Sequence, residues 1–368
     1  MDYCKVQGFP VVFLDLEHKD IRAQLNASPD NVFLYCPVTE QRIYIFIDEI
    51  QKLNDPSNFL KQLFDDYPDG KKIKITATGS SAFYIDDKFN DSLAGRKKEF
   101  NLYTCTFTEY LLLGGKNDML EEVYRLKENP SAKSSVLPLL QNEFYNYIRF
   151  GGYPEVVTEP SESEKIEILK DLRDSFVKKD IDEAGVKDID AFYGLFQVLA
   201  IQAGGLTNNS ELGKILRIKD ETIAKYLDVM EKCFHIARVK PFHRNLEKEL
   251  VKMPVTYLLD SGMRNVLMNN FQPFILNPDQ GKIWENQAFR LLVDKYGINE
   301  IRFWRTTDKK EVDFVLPDFN PPLAYEVKKS DAAADAGKYK TFREAYPEFN
   351  FRFLCLNPFN EDFIRMFI

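Results

Sequence analysis

The sequence predicts an α/β protein: a parallel sheet at the amino end, then a helical stretch, then a second α/β unit. Three observations carry this expectation. Arg42–Gln51 reads RIYIFIDEIQ, a β-branched and aromatic run that ends in two adjacent carboxylates. Lys72–Ala82 reads KIKITATGSSA, a second apolar run that ends in small hydroxyl residues. Strand-like strings such as Val11–Leu16 (VVFLDL) alternate with helical ones such as Asn54–Asp66 over residues 1–115. Continuous apolar runs suit strands buried in a parallel sheet. Alternation with helices is the α/β pattern.

The ends of those runs carry chemistry. Ligands of open α/β sheets sit beyond the carboxyl ends of the strands. Asp48 at such an end suits Mg²⁺, held through water because Mg²⁺ takes few direct carboxylates. Glu49 suits orienting or deprotonating an attacking water. Thr78, Ser80 and Ser81 would reach a γ-phosphate, or that water, from the next strand. These are the second and third stations of a P-loop ATPase. The first is missing, since no G-x-x-x-x-G-K-[ST] occurs in the chain. Met1–Gly8 then reads as the last turn of the helix that follows such a loop. The sheet is therefore expected to be incomplete at its amino end, with a strand, the glycine loop and most of a helix upstream. The same strings also suit two buried strands followed by ordinary polar turns. Arg96, in SLAGRK, is placed either to approach a phosphate or to be a surface arginine.

Composition narrows the setting. With 368 residues the chain is long enough for two or three domains. Its apolar runs are strand-sized, so neither a membrane-spanning helix nor a signal peptide is expected. Five cysteines without paired spacing point to a reducing cytoplasm and away from a zinc site. The three histidines, His18, His235 and His243, are too few for a histidine-rich metal centre, and His235 lies in an apolar stretch that suits a packed core. A net charge of −8 gives no global attraction to nucleic acid, so any such binding needs a local basic face.

The middle of the chain reads as helical. Glu128–Ser135 (ENPSAKSS) is a polar linker. Val136 to about Val186 has apolar residues at helical spacing, interrupted at Gly151-Gly152. From Ala191 to Leu259 the order is helix, short helix (SELGKILR), turn, longer helix (Asp220–Lys232), then two strands around the charged hairpin RNLEKELVK. That is a helix-turn-helix with a β-wing. The longer helix mixes Lys219, Lys225 and Lys232 with Asp220, Glu221, Asp228 and Glu231, which suits a protein contact slightly better than a major groove. Lys240, Arg244, Lys248 and Lys252 leave the wing as a phosphate contact.

A second constellation lies near the carboxyl end. Lys282–Tyr296 is an amphipathic helix carrying Glu285. Glu311–Leu316 (EVDFVL) and Leu323–Lys329 (LAYEVKK) read as strands, and a helix is expected over Ala332–Ala345. Glu326 and Lys328 are two apart and so share a strand face. An acid on a helix followed by D…E-x-K on a hairpin is the arrangement of restriction-type nucleases. Asp313 and Glu326 would bind Mg²⁺, Glu285 would add a metal contact, and Lys328 would position water and stabilise phosphate charge. The plain alternative makes Asp313 edge-strand polarity and Glu326–Lys328 a surface ion pair.

Taken with VVFLDLE, IYIFIDEIQKL, ITATGSSAF, SLAGR, GGYPEVV, YLLDSGMRN, WENQAF and EVDFVL…YEVKKS, the chain resembles a family of prokaryotic AAA-type P-loop ATPases. Its members fuse that ATPase to a winged helix and a PD-(D/E)XK nuclease-like carboxyl-terminal domain. The resemblance implies an AAA-type core over 1–115, a helical linker or lid over 116–187, a winged helix over 188–265 and a nuclease-like domain over 266–368. It implies ATP and Mg²⁺ as cofactors, Asp48 and Glu49 as the Walker B pair, and Thr78–Ser81 as the sensor region. Asp313, Glu326 and Lys328 match the nuclease-like motif. The partners it implies are DNA, through the winged helix or the nuclease-like domain, or another protein.

Overall fold

The structure, a computed structural model, describes residues 1–66, 73–79, 95–243, 253–330 and 333–367. The chain divides into two compact units, Met1–Asn101 and Leu102–Ile368. Among the described residues no helix is long and apolar enough to cross a membrane.

The first unit runs through helix α1 (Asp2–Val6), strand β1 (Val11–Asp15), helix α2 (Lys19–Ala27), a 3-10 segment at Pro29–Tyr35, β2 (Ile43–Asp48), α3 (Pro56–Asp66) and β3 (Ile73–Ala77). The strands form a three-stranded sheet in the order β1-β2-β3, and both pairings are parallel. Alternation puts Val12, Leu14, Ile43, Ile45 and Ile47 on one face, where they are buried with Leu25, Val32, Phe59 and Leu63. Asp55 starts α3 by accepting the backbone N–H of Asn58 at 2.9 Å. Phe59 and Leu63, four apart, then meet the sheet. On the opposite face Phe13 is 54% exposed.

The second unit begins with α4 (Phe107–Leu113), α5 (Asn117–Glu128), α6 (Leu137–Phe150), α7 (Pro154–Thr158), α8 (Glu162–Glu183) and α9 (Ile189–Ile201). A short strand β4 (Gly205–Leu206) precedes α10 (Asn209–Leu216) and α11 (Asp220–Lys232), and β5 (Ile236–Pro241) and β6 (Val255–Leu258) follow. Next come α12 (Ser261–Leu267), α13 (Gln280–Tyr296), β7 (Arg302–Arg305), β8 (Glu311–Leu316) and β9 (Leu323–Lys328). The chain closes with a 3-10 turn at Ala336–Tyr339, α14 (Lys340–Ala345), β10 (Asn350–Cys355) and α15 (Glu361–Phe367). Over Ala332–Ala345 the α-helix is shorter than the sequence predicts. Asp335 accepts the N–H of Gly337 at 2.9 Å and sets a tight turn first, so the α-helix starts at Lys340.

Two further boundaries differ from the sequence pattern. The first unit ends at Asn101, ahead of residue 115, because Phe107, Tyr110 and Leu111 belong to the core of the second unit. Nor do the segments 116–187, 188–265 and 266–368 have separate cores. Phe144 of α6 meets Trp284 of α13 and Phe363 of α15 at ring distances of 6.3 and 5.3 Å. One seven-stranded sheet, β10-β9-β8-β7-β5-β6-β4, crosses the two later segments. Its junction is a short parallel pairing of β5 with β7, Lys240 with Arg302 and Pro241 with Phe303. The hairpin residues Arg244, Lys248 and Lys252 lie outside the described residues.

A second tie joins α6 to α12. Asp260, buried at the start of α12, accepts the N–H groups of Gly152 and Met263, both at 2.9 Å. Burial raises its pKa, and those two donors oppose the rise. Gly151 lies at φ +78°, and a Cβ there would come within 2.2 Å of the Asp260 carboxylate. The sequence strings GGYP and LLDSGMRN therefore form one buried knot.

Because Phe144 is fully buried among Phe107, Tyr147, Trp284, Phe359 and Phe363, Phe144→Ala is expected to destabilise the second unit by about 3–5 kcal/mol. Denaturant titration followed by both helical and tryptophan signals checks this. The shared core predicts one coincident transition for residues 102–368, and separate transitions would contradict it.

Candidate functional site

In the first unit the predicted chemistry gathers at the carboxyl edge of the sheet. The register sets Asp15 beside Asp48, and Ala77 beside Ile47, so Thr78 follows opposite Asp48. The Thr78 hydroxyl donates to the Asp48 carboxylate. The backbone reinforces the contact, with Thr78 N–H donating to Ile47 O at 2.8 Å and Ile50 N–H to Thr78 O at 3.0 Å. Glu49 sits at φ +56°, a left-handed conformation that costs a non-glycine residue about 1–2 kcal/mol. The Glu49 carboxylate accepts from Gln51. Ser80 and Ser81 lie outside the described residues.

Arg96 is placed differently. It pairs with Asp65 in the last turn of α3 at 3.1 Å and lies over the Phe64 ring. Since α3 runs back from the carboxyl edge, that turn lies away from Asp48. Sequence reasoning also missed Asp15, which accepts the N–H of Glu17 at 2.8 Å and stands level with Asp48. The signal was present: Asp15 ends VVFLD as Asp48 ends IYIFID.

In the second unit the structure brings Glu285, Asp313, Glu326 and Lys328 together. Glu326 is 4% exposed and takes Lys328 Nζ at 2.5 Å and the Tyr339 hydroxyl at 2.8 Å on one oxygen. Its other oxygen accepts the Asp313 N–H at 3.3 Å, and Asp313 accepts the Val327 N–H at 2.7 Å. β8 and β9 are thus stitched by each other's carboxylates. Glu285 comes from α13, accepts the buried Tyr257 hydroxyl at 2.9 Å, and lies against Gly204. A Cβ at Gly204, whose φ is +82°, would meet the Glu285 carboxylate at 2.5 Å, so glycine is required there.

Three acids then share one lysine. Burial and the neighbouring carboxylates hold Asp313 well above the ordinary range. Burial also raises Glu326, more than its bonds to Lys328 and Tyr339 lower it. Glu285 is pushed up to about 7, mainly by burial, while the Tyr257 hydrogen bond pulls the other way. Lys328 is raised instead: burial alone would lower it, but its bonds to Glu326 and Tyr339 prevail. Tyr257 and Tyr339 were invisible to motif reading, because each reaches its carboxylate from a distant segment.

Hard oxygen donors suit Mg²⁺, but among the described residues no three acidic, histidine or cysteine side chains are placed to hold one ion together. Mg²⁺ ordinarily takes one or two carboxylates and completes its shell with water and phosphate oxygens. The cluster therefore fits an ion that arrives with a phosphate and does not form a ready-made cage.

On α11, Arg238 of β5 pairs with Asp228 at 2.6 Å and also with Glu231. Two of the four acids of that helix therefore serve as ties to the sheet.

Comparison with known proteins divides the chain differently from its two compact units. Residues 3–111 match the family model of an AAA domain, a stretch that runs through the first unit and into α4. Residues 141–273 match a domain of unknown function, DUF8612, and residues 280–363 another, DUF4143. An uncharacterized protein of Haemophilus influenzae is 26% identical over 326 residues, covering 85% of this chain and 74% of that one. An uncharacterized protein of Methanocaldococcus jannaschii is 26% identical over 306 residues, covering 80% of this chain and 64% of its own length. The structure of the Thermotoga maritima RuvB Holliday junction branch migration motor is similar over 64% of this chain and 75% of that one, at 14% identity and a TM-score of 0.30.

The raised Glu285 carboxyl has a consequence for stability. Its folded pKa lies above the unfolded value of 4.5, so the folded state holds the proton longer. Stability from this group is complete below pH 4.5 and is lost as pH rises to about 7. Glu285→Gln keeps an acceptor for Tyr257 and removes the titration. Against the wild type it is expected to gain about 1–3 kcal/mol at pH 8 relative to pH 4, read from urea midpoints. A difference that does not change with pH would contradict the assignment.

Proposed function

We propose that this protein is an AAA-type, ATP-responsive switch whose carboxyl-terminal acid–lysine cluster acts on nucleic-acid phosphates. The observation that carries the first half is the Thr78–Asp48 contact at the carboxyl edge of a parallel sheet, inside the segment that matches the AAA domain. In this reading Asp48 holds the waters of a Mg²⁺ that accompanies ATP, and Thr78 fixes its rotamer. Glu49 would orient the attacking water, with its carboxylate held by the Gln51 amide. Mg²⁺, when bound, neutralises charge that develops on the phosphates. No phosphate-cradling glycine motif occurs in the 368 residues, so their own affinity for ATP is expected to be weak.

Calorimetry with Mg·ATP on the 368-residue chain tests this. Weak binding is expected, with Asp48→Asn weakening it further by at least tenfold and Glu49→Gln preserving binding while abolishing hydrolysis. Absence of any Mg·ATP binding would remove the ATPase reading.

A specific observation favours the second half. Glu326 pairs with Lys328 and takes the Asp313 N–H, and burial with neighbouring carboxylates raises Asp313 and Glu285 beside them. Lys328 would neutralise a scissile phosphate, and Asp313 with Glu285 would hold a Mg²⁺ that polarises it. Tyr339 and Tyr257 fix Glu326 and Glu285. Lys328→Ala and Asp313→Ala are each expected to abolish Mg²⁺-dependent cleavage of DNA while the folded state persists. Retained cleavage would overturn this reading.

A further inference from the structure

Beside the acid–lysine cluster lies an open groove of about 710 Å³, between the turn at Ala336–Tyr339, α14 and β10. That volume is in the range of sites that bury a small ligand. Phe351 and Phe353 are two apart on β10 and so share its face, with ring centroids 5.3 Å apart and ring planes perpendicular at 89°, so each offers its own face to a separate base. Both are half-buried and line the groove. Lys340 and Arg343, both exposed, stand on its rim. Lys340 has a long contact of 3.6 Å with Glu344, each side chain mostly in solvent, which is worth little. β10 is the last strand of its sheet among the described residues.

Tyr339 joins this groove to the cluster. Its ring lies 5.1 Å from Phe351 and 5.7 Å from Phe353. Its hydroxyl donates to Glu326, and Lys328 Nζ is 5.6 Å from its ring centroid. A chain lying on the two phenylalanines would pass Tyr339 and bring its backbone to Lys328.

We propose that the groove holds single-stranded nucleic acid, with bases stacked on Phe351 and Phe353 and phosphates against Lys340 and Arg343. Aromatic faces accept any base, and cations along the rim complement the backbone. A duplex keeps its base faces inside its own stack, where neither ring can reach them. An overall charge of −8 leaves no broad electrostatic surface, so the contact has to be local, as the groove is. The proposal rests on the nucleic-acid reading of Lys328 and names its substrate as a single strand.

Fluorescence anisotropy of the full chain with a fluorescein-labelled oligothymidylate of about ten nucleotides, in EDTA so that no cleavage intervenes, tests it. The wild type is expected to bind, more weakly as salt rises, and more tightly than it binds a hairpin duplex. The double variant Lys340→Glu with Arg343→Glu is expected to lose at least tenfold in affinity at an unchanged melting temperature. Phe351→Leu, which keeps the fold's apolar contact and removes the stacking face, is expected to lose severalfold. Equal binding by the charge-reversed variant, preference for the duplex, or no binding by the wild type would each overturn the proposal. Tighter binding of an oligoglutamate peptide would assign the groove to an acidic protein segment and overturn it as well. Groove-dependent binding without any Mg²⁺-dependent cleavage would support the groove and remove the cleavage reading alone. Cleavage that needs Lys328 but is indifferent to the groove variants would do the reverse.

Discussion

Two residue pairs of parallel pairing, Lys240 with Arg302 and Pro241 with Phe303, join the strands of the second unit into one seven-stranded sheet. Without them β5 and β6 would belong to the helices before them, and β7–β10 would form a separate sheet with an open edge. Parallel strands need a long crossover, and here β6, α12 and α13 supply it. That route is what places Tyr257 of β6 and Glu285 of α13 against the carboxylates of β8 and β9. The buried aromatic cluster around Phe144 then fastens α6 to α13 and α15 from the other side.

The acid–lysine cluster shows what such assembly allows. Carboxylates with one nearby cation are unfavourable in a low-dielectric setting. They persist because the backbone itself donates to them: Val327 to Asp313, and Asp313 to Glu326. Each strand of the β8–β9 hairpin thereby satisfies an acid carried by the other. The tyrosines complete the set at the two carboxylates that have no cross-strand amide to spare or that need a second donor. The first unit follows a different logic. Its acids stand at the exposed ends of strands and are fixed by one hydroxyl and by backbone geometry.

Much of this was legible in the sequence because short-range periodicity carries it. The runs carrying Asp48 and Asp313 gave their strands, and the two-residue spacing of Glu326 and Lys328 put them on one face, where they pair. The left-handed turn at Glu49 was not legible, since nothing in the string DEIQ demands a positive φ. The tyrosine partners were not legible either, because Tyr257 is 28 residues from Glu285 and reaches it only through the completed sheet. Arg96 was open between two roles, and the side chain that answers it, Asp65, lies 31 residues away. The division at Asn101 was obscured because α4 has the same amphipathic spacing whichever core it joins. The Gly204 requirement depends on a carboxylate arriving from α13, a contact no local pattern encodes.

The hydrogen bond from Tyr257 to Glu285 also bears on how such a chain can change over generations. Strands β5 and β6 and the acid-bearing strands look like interchangeable parts, joined in series. They are not separable, because the acid on α13 is seated by a hydroxyl from β6 and by the empty space at Gly204. A recombination event between residues 258 and 280 would bring together a tyrosine, a glycine and a glutamate that had not been selected in one another's company. A new partner lacking the glycine would drive the carboxylate out, and one lacking the tyrosine would leave it undonated. Exchange of either half would therefore have to keep this tyrosine, glycine and glutamate together.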